Sequence, residues 1–144
     1  MASGMHMASH DLTARVAAEI EALHLQFERW FAGSIDDFER IRSSMADDFT
    51  FISPDGDIVE PAALLAGLLA SHGSMHIRIR IKKVIVRWSD ESSILATYEE
   101  WQDHPEYTAA RQSTVLFTED ESAPGGLLWR HVHETWKVPP PVED

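Results

Sequence analysis

The segment Trp129-Arg130-His131-Val132-His133-Glu134-Thr135-Trp136 decides the fold of this 144-residue chain. It has the aromatic and β-branched content of a strand, in which alternate side chains point to opposite faces. Strict alternation predicts one face with Trp129, His131, His133 and Thr135, and another with Arg130, Val132, Glu134 and Trp136. Each face mixes aromatic rings with titratable groups, which is typical of a pocket wall or an interface.

The N-terminal half has the apolar spacing of helices. Apolar residues recur three and four positions apart over residues 11–32, which predicts a long helix that ends at Gly33. A capping sequence at residues 34–37 predicts a short second helix. Glu60-Pro61 opens a third helix, and because residues 62–71 are apolar nearly all round, this helix is predicted to be well buried.

The C-terminal half has the alternating pattern of strands. The longest runs from 76 to 88, and its apolar phase shifts by one residue at Lys82-Lys83, which predicts a β-bulge. Residues 92–104 and 107–118 are predicted to form a hairpin, and residues 127–137 form the last strand.

Helices followed by an antiparallel meander indicate the α+β class. We predict three N-terminal helices packed on a strongly bent, mainly antiparallel sheet that forms a cone-shaped pocket. A single domain is expected over residues 10–138. Residues 1–9, MASGMHMAS, are interpreted as a leader added for expression, and residues 139–144 as a proline-rich acidic tail.

Composition narrows the range of partners and compartments. Hydrophobic residues make up 44% and charged residues 25% of the chain, the balance of an ordinary globular protein. The formal net charge of −12 argues against nucleic acid and anionic membranes as partners. There is no cysteine, which excludes disulfides and thiolate chemistry and favours a cytoplasmic location.

Three stretches together resemble one known group of proteins. They are residues 48–56 (DFTFISPDG), residues 111–115 (RQSTV) and the segment 129–136. In this order and spacing they are similar to the nuclear transport factor 2-like superfamily with its cystatin-like α+β cone. Within it they resemble the SnoaL-like branch, related to the calcium/calmodulin-dependent kinase association domain. That superfamily hosts isomerases, dehydratases, cyclases and non-enzymatic assembly domains, so the resemblance implies a fold rather than one activity.

Two adjacent glutamates in the predicted hairpin must point to opposite faces. Symmetric pairing about Pro105-Glu106 places Glu100 opposite Arg111 and Glu99 opposite Gln112. We interpret Glu100 and Arg111 as a cross-strand ion pair, while the resemblance favours the Glu99 face as the cavity wall. A carboxylate in an apolar cavity has a raised pKa and can act as a base near neutral pH. Glu99 and Glu134 are therefore the predicted catalytic residues, with a water-exposed or ion-paired structural role as the alternative.

The predicted ligand-binding residues are Trp30, Phe51, Thr97, Trp101, Gln112, Thr114, Arg130, Val132 and Trp136. For Trp30 and Phe51 a place in the hydrophobic core is the simpler interpretation. His131 and His133 share a strand face and could chelate zinc, but no further ligand accompanies them at a recognisable spacing. We therefore predict no metal site and no cofactor, and expect both histidines on the outer face of the sheet.

The favoured function is binding of a small, partly apolar molecule in the cone. The alternatives are a cofactor-free acid–base enzyme, such as an isomerase, dehydratase or cyclase, and a non-catalytic dimerisation module. A homodimer through the outer face of the sheet is expected, with Trp88 among its anchors. The basic stripe formed by His76, Arg78, Arg80 and Lys82 could contact acidic side chains in that dimer, bind an anion or remain a solvated strand face.

Overall fold

The computed structural model describes residues 9–142. The helices of this part are α1 (Ser9–Ala32), α2 (Glu39–Ser44) and α3 (Pro61–Ala70). Its strands are β1 (Met45–Ile52), β2 (Ile58–Val59), β3 (Arg78–Ser89), β4 (Ser93–Asp103), β5 (Thr108–Glu119) and β6 (Leu127–Val138). Residues 1–8 of the predicted leader lie outside the described residues, and Ser9 already belongs to α1. Of the predicted tail, residues 139–142 have no regular secondary structure.

The six strands form one sheet in the order β2-β1-β6-β5-β4-β3. All neighbours are antiparallel except β1 and β6, which are parallel. The helices precede most of the sheet in the chain, and α1 packs on one of its faces. The α+β class predicted from the sequence is therefore confirmed. We call the face that packs against α1 the inner face and the opposite one the outer face.

The β4–β5 hairpin has the predicted register. Glu100 lies opposite Arg111, and Glu99 lies opposite Gln112. Ile94, Ala96 and Tyr98 share the side of β4 that carries Glu100, and each is at most 2% exposed. The inner face of the hairpin is therefore the Glu100 face.

The bulge predicted in β3 is also confirmed. Lys82 pairs with Glu99, whereas Ile85 pairs with Thr97, so β3 contains one extra residue between these pairs. Lys83 has a φ of 55°, the left-handed conformation that a bulged residue can adopt. The extra residue bends the edge of the sheet towards α1.

A second bulge, in β6, changes the phase of the segment 129–136. Trp129 pairs with Phe117 and His131 pairs with Leu116, which leaves Arg130 as the extra residue. Trp129 therefore shares the inner face with Val132, and the prediction of strict alternation along this strand was wrong at Trp129. The bulge allows the strand to bury a large aromatic side chain beside its β-branched one.

The buried carboxylate of Glu19 connects α1 with the rest of the fold. It accepts hydrogen bonds from Trp129 Nε1 and Arg40 Nη2, both at 2.9 Å. A Cβ atom at Gly125 would lie 2.0 Å from Glu19 Oε1, so glycine is required where the β5–β6 loop passes this carboxylate. Trp129, which opens the segment 129–136, thus fixes the position of α1 as well as filling the core.

Helix α3 departs from the sequence expectation. None of its ten residues is buried, and Leu69 is 42% exposed, so the prediction of a well-buried helix was wrong. Only one face of the helix packs against the core, through Leu64, Leu65 and Leu68. Between Ser9 and Val142 no helix is long and apolar enough to cross a membrane.

Candidate functional site

A cavity of about 190 Å³ lies between α1, α3 and the inner face of the sheet. Its wall is mostly apolar and consists of Leu23, Phe27, Phe31, Met45, Phe49, Phe51, Leu64, Leu68, Ile79, Trp129 and Val132. Its polar lining consists of His24, Tyr98, Glu100, Gln102, Arg111 and Glu134. An apolar cavity with a few convergent polar groups is the usual form of a small-molecule site.

Four of these polar residues, His24, Glu100, Arg111 and Glu134, form what we call the polar cluster. His24 projects from α1, and the other three come from β4, β5 and β6. The strand register brings them together, because Glu100 lies opposite Arg111 and Ser113 lies opposite Glu134. The predicted ion pair between Glu100 and Arg111 was wrong, since the salt bridge of Glu100 is with His24 and that of Arg111 is with Glu134. Both carboxylates are at least 95% buried.

His24 and Glu100 form a buried ion pair. His24 Nδ1 lies 2.7 Å from the carbonyl oxygen of Ile20, and Nε2 lies 2.9 Å from Glu100 Oε1. A carbonyl and a carboxylate both accept, so the ring satisfies both only when both nitrogens carry protons. Burial alone would lower the pKa of His24, but the adjacent Glu100 outweighs burial and raises it. In turn, His24 overcomes the effect of burial and lowers the pKa of Glu100 to about 2.

Glu134 is the titratable member of the polar cluster. It accepts hydrogen bonds from Arg111 Nη1 at 2.9 Å and from Ser113 Oγ at 3.0 Å. Burial and the charge of Glu100 nevertheless raise the pKa of Glu134 to about 7, against the influence of Arg111. Near neutral pH this carboxyl group can therefore either hold or accept a proton.

Arg111 keeps several donors free, because its guanidinium uses one of five N–H groups in a hydrogen bond within residues 9–142. Its guanidinium carbon lies 4.9 Å from the centre of the Trp136 ring, a cation–π contact. Its buried Nε has no hydrogen-bond partner among residues 9–142. An unpaired buried donor is unfavourable by about 1–3 kcal/mol, so a ligand or a water that accepts from it would be stabilised.

The structure brings three of the residues predicted for the site to the cavity: Phe51, Val132 and Glu134. It places Glu99, Thr97, Trp101, Gln112 and Thr114 on the outer face, which corrects the predicted cavity wall. The physical reason is strand alternation, because the buried apolar residues of β4 and β5 lie on the Glu100 face. That signal was present in Ile94, Ala96, Val115 and Phe117.

The remaining predicted residues lie beside the cavity rather than in its wall. Trp30 is buried in the core and donates from Nε1 to the carbonyl oxygen of Leu68 at 2.7 Å. Arg130, the bulged residue of β6, donates to Asp48 Oδ2 at 3.1 Å. Trp136 packs on Arg111 and donates to Asp55 Oδ1 at 2.8 Å.

Glu99 has the properties of an ion-paired structural carboxylate. Trp101 Nε1 donates to it at 2.9 Å, and the ammonium groups of Lys137 and Lys83 lie 3.1 and 3.5 Å away. The indole hydrogen bond first, and then the lysines, lower the pKa of Glu99. A carboxylate that stays ionised is a weak base at neutral pH, so Glu134 has the more suitable chemistry.

The outer face also carries the predicted basic stripe and both strand histidines. Arg80 makes two hydrogen bonds to Asp103, and Lys82 Nζ lies 4.8 Å from the centre of the Trp101 ring. His131 Nδ1 lies 2.6 Å from Thr50 Oγ1, and His133 is exposed. The expected placement of the two histidines on the outer face is confirmed.

Sequence reasoning did not identify His24. The signal was a polar residue inside the apolar stripe of α1, four positions after Ile20 and three before Phe27. A titratable side chain at a core position requires a buried partner, and here the partner is Glu100.

Solved structures with this architecture are nuclear transport factor 2-like proteins. An NTF-2 like protein of unknown function from Pseudomonas aeruginosa is 26% identical, covers 85% of this chain and 98% of its own, and has a TM-score of 0.77. The association domain of CaMKII from C. elegans is 12% identical, covers 88% of this chain and 97% of its own, and has a TM-score of 0.68. The predicted nuclear transport factor 2-like fold is therefore confirmed.

Within this fold the chain belongs to the family described as Sucrose-6-phosphate phosphohydrolase C-terminal, which matches residues 16–138. Sucrose-phosphatase 2 from Nicotiana tabacum is 27% identical over 131 residues, which is 83% of this chain and 30% of that protein. The chain thus spans about a third of the length of the curated relatives that it matches. The activity in their names belongs to those longer proteins.

The pKa of Glu134 leads to a prediction about stability. Because this pKa rises from 4.5 to about 7 on folding, the folded chain holds a proton that the unfolded chain has lost between these pH values. Stability from this group is highest at low pH and falls as the pH rises through that window. Glu134→Gln has no such carboxyl group and does not lose stability in this way. The free energy of unfolding of the variant minus that of the unaltered chain should therefore rise by about 2–3 kcal/mol between about pH 5 and about pH 8. Urea unfolding at several pH values measures this difference.

Glu99→Gln is the matched control for this prediction. Its pKa is lowered, so its contribution to stability changes only as the pH falls below the ordinary carboxylate range. We expect its effect on the free energy of unfolding to stay constant between about pH 5 and about pH 8. Parallel curves for the two variants would contradict the assignment of Glu134 as the titrating group.

Proposed function

We propose that this chain binds a small, partly apolar molecule in the cavity. Its apolar body would contact Phe27, Phe31 and Phe51, and its polar part would meet the polar cluster. The observation that carries the proposal is the polar cluster of four charged side chains at a cavity whose wall is mostly apolar. Replacing buried ion pairs with apolar residues is often neutral or stabilising, so the cluster has no evident value for stability alone.

Helix α3 offers a matched pair of variants to test binding. Leu64 lines the cavity, whereas Leu69 on the same helix is 42% exposed. In Leu64→Trp the indole should fill the cavity and weaken binding of small ring compounds more than about tenfold, while Leu69→Trp should leave it unchanged. Amide shifts in NMR titrations with a set of six-carbon ring fragments report both the affinity and the place of binding. Equal behaviour of the two variants, or shifts confined to the outer face, would contradict the proposal.

Cofactor-free acid–base catalysis is the second candidate, and the position of Glu134 beside Arg111 favours it. The Glu134 carboxylate would take a proton from a carbon next to a ligand carbonyl. The electrons of that C–H bond would form the enolate, and a free N–H of the Arg111 guanidinium would donate to the enolate oxygen. A base with a pKa near the working pH suits this step. An isomerase, dehydratase or cyclase could use it.

Exchange of the α-hydrogens of cyclohexanone with D₂O provides a test of this chemistry by NMR. The chain is expected to accelerate exchange over buffer, and the rate should rise with pH as Glu134 ionises. Glu134→Gln should reduce the catalysed rate by about a hundredfold or more while ketone binding persists. Glu99→Gln should leave the rate unchanged. No acceleration over buffer would contradict the enzymatic candidate and leave the binding proposal standing.

A homodimer through the outer face is the proposed assembly. Trp88 and Ile85 are 53% and 42% exposed, and both lie on that face, opposite Leu95 and Thr97. Exposed aromatic and aliphatic side chains of this kind are typical interface anchors. The structures named as CaMKII hub or association domains are compatible with assembly by this fold. A non-catalytic dimerisation module remains the further alternative, while the SnoaL-like affiliation and the cytoplasmic location stay predictions.

Sedimentation velocity tests the assembly directly. We expect the unaltered chain to sediment as a dimer and Trp88→Asp to sediment as a monomer, because the substitution places a charge in the centre of the proposed interface. Leu69→Asp, an exposed apolar position on α3, serves as the control and should remain dimeric. Monomers at all concentrations of the unaltered chain would contradict the dimer.

A further inference from the structure

The hydrogen-bonding groups of the polar cluster restrict the chemistry of the ligand, an inference that rests on the proposed binding function. A guanidinium group has five N–H donors, so Arg111 keeps several free within residues 9–142, and its buried Nε is one of them. Its Nη1 is already bound to Glu134. A ligand at this end of the cavity must therefore offer at least one acceptor.

The two carboxylates of the polar cluster have unused acceptor positions. Glu100 accepts from His24 and Gln102, and Glu134 accepts from Arg111 and Ser113. An ionised carboxylate has about four acceptor positions, so each of the two has capacity for about two more donors. A ligand that also donates would use this capacity, and one that only accepts would not.

The charges of the polar cluster favour an uncharged ligand group. With both carboxylates ionised, the positive charges of His24 and Arg111 balance them, and the cluster is neutral. A ligand carboxylate would add a third anionic group beside two others in a site of low dielectric constant. A ligand ammonium group would donate to the carboxylates but would leave the free donors of Arg111 without an acceptor. An uncharged group that both accepts and donates has neither disadvantage.

We propose that the ligand of this cavity is an uncharged alcohol on a compact apolar skeleton. Its hydroxyl oxygen accepts from a free N–H of the Arg111 guanidinium, and its hydroxyl hydrogen is donated to a carboxylate oxygen of Glu134 or Glu100. The apolar skeleton occupies the wall formed by Phe27, Phe51 and Leu64. A second hydroxyl on the neighbouring carbon would use the remaining acceptor capacity.

A series of probes with the same six-carbon ring tests this assignment. The series contains methylcyclohexane, cyclohexanol, cyclohexanecarboxylate and cyclohexylamine, each titrated into the full chain above the pKa of Glu134 and followed by amide NMR. Cyclohexanol is expected to bind about tenfold or more tightly than each of the other three, because it gains hydrogen bonds to charged groups without adding a charge.

Each other outcome has a distinct meaning. Tightest binding of the carboxylate or of the amine would overturn the alcohol assignment and leave the binding proposal intact. Equal binding of all four probes would also overturn it, because the polar cluster would then not select the ligand. No binding of any probe, methylcyclohexane included, would overturn the proposed function together with the inference.

Arg111→Lys provides a second measurement that keeps the positive charge but removes the planar, forked donors of the guanidinium. The variant should lose the preference for cyclohexanol over methylcyclohexane, while the affinity for methylcyclohexane stays within about twofold. An unchanged preference would show that Arg111 does not read the hydroxyl group and would overturn its assigned role. Should the variant not fold, the probe series on the unaltered chain still decides the ligand class.

Discussion

Burial of four ionisable side chains against one cavity is the constraint on which the rest of this structure depends. A charge taken out of water must be paired or neutralised, so each member of the polar cluster is held by its neighbours. His24 and Glu100 resolve the constraint as an ion pair between α1 and β4. Arg111 and Glu134 form a second ion pair, between β5 and β6. Burial and the neighbouring Glu100 nevertheless raise the pKa of Glu134.

Two of the β-bulges in the sheet shape the wall around this cluster. One introduces an extra residue at Lys83 in the edge strand, and the other, at Arg130, brings Trp129 to the inner face beside Val132. Trp129 then reaches Glu19 and positions α1, which carries His24 over the sheet. The cavity thus lies between an irregular sheet and a helix that a buried hydrogen bond holds in place.

Much of the fold could be predicted because local patterns determine it. The hairpin register followed from the symmetry of the turn, and the β3 bulge followed from the phase of its isoleucines and valines. The prediction that the Glu99 face forms the cavity wall was wrong. It followed the family resemblance, whereas the apolar residues on the Glu100 face indicated the opposite side. The burial of α3 was wrong because an apolar sequence shows what a helix can bury, not what lies next to it. His24 was missed because its partner is 76 positions away in the chain, a distance that no local pattern spans.

The proposed chemistry depends on Glu134 being a buried carboxyl group that changes charge near neutral pH beside Arg111. A carbon-detected NMR titration of its side-chain carboxyl group in the full chain measures this property. We predict a midpoint at about pH 7 for Glu134. A midpoint at the ordinary carboxylate value of 4.5 would contradict it, because the group would then be neither desolvated nor influenced by Glu100.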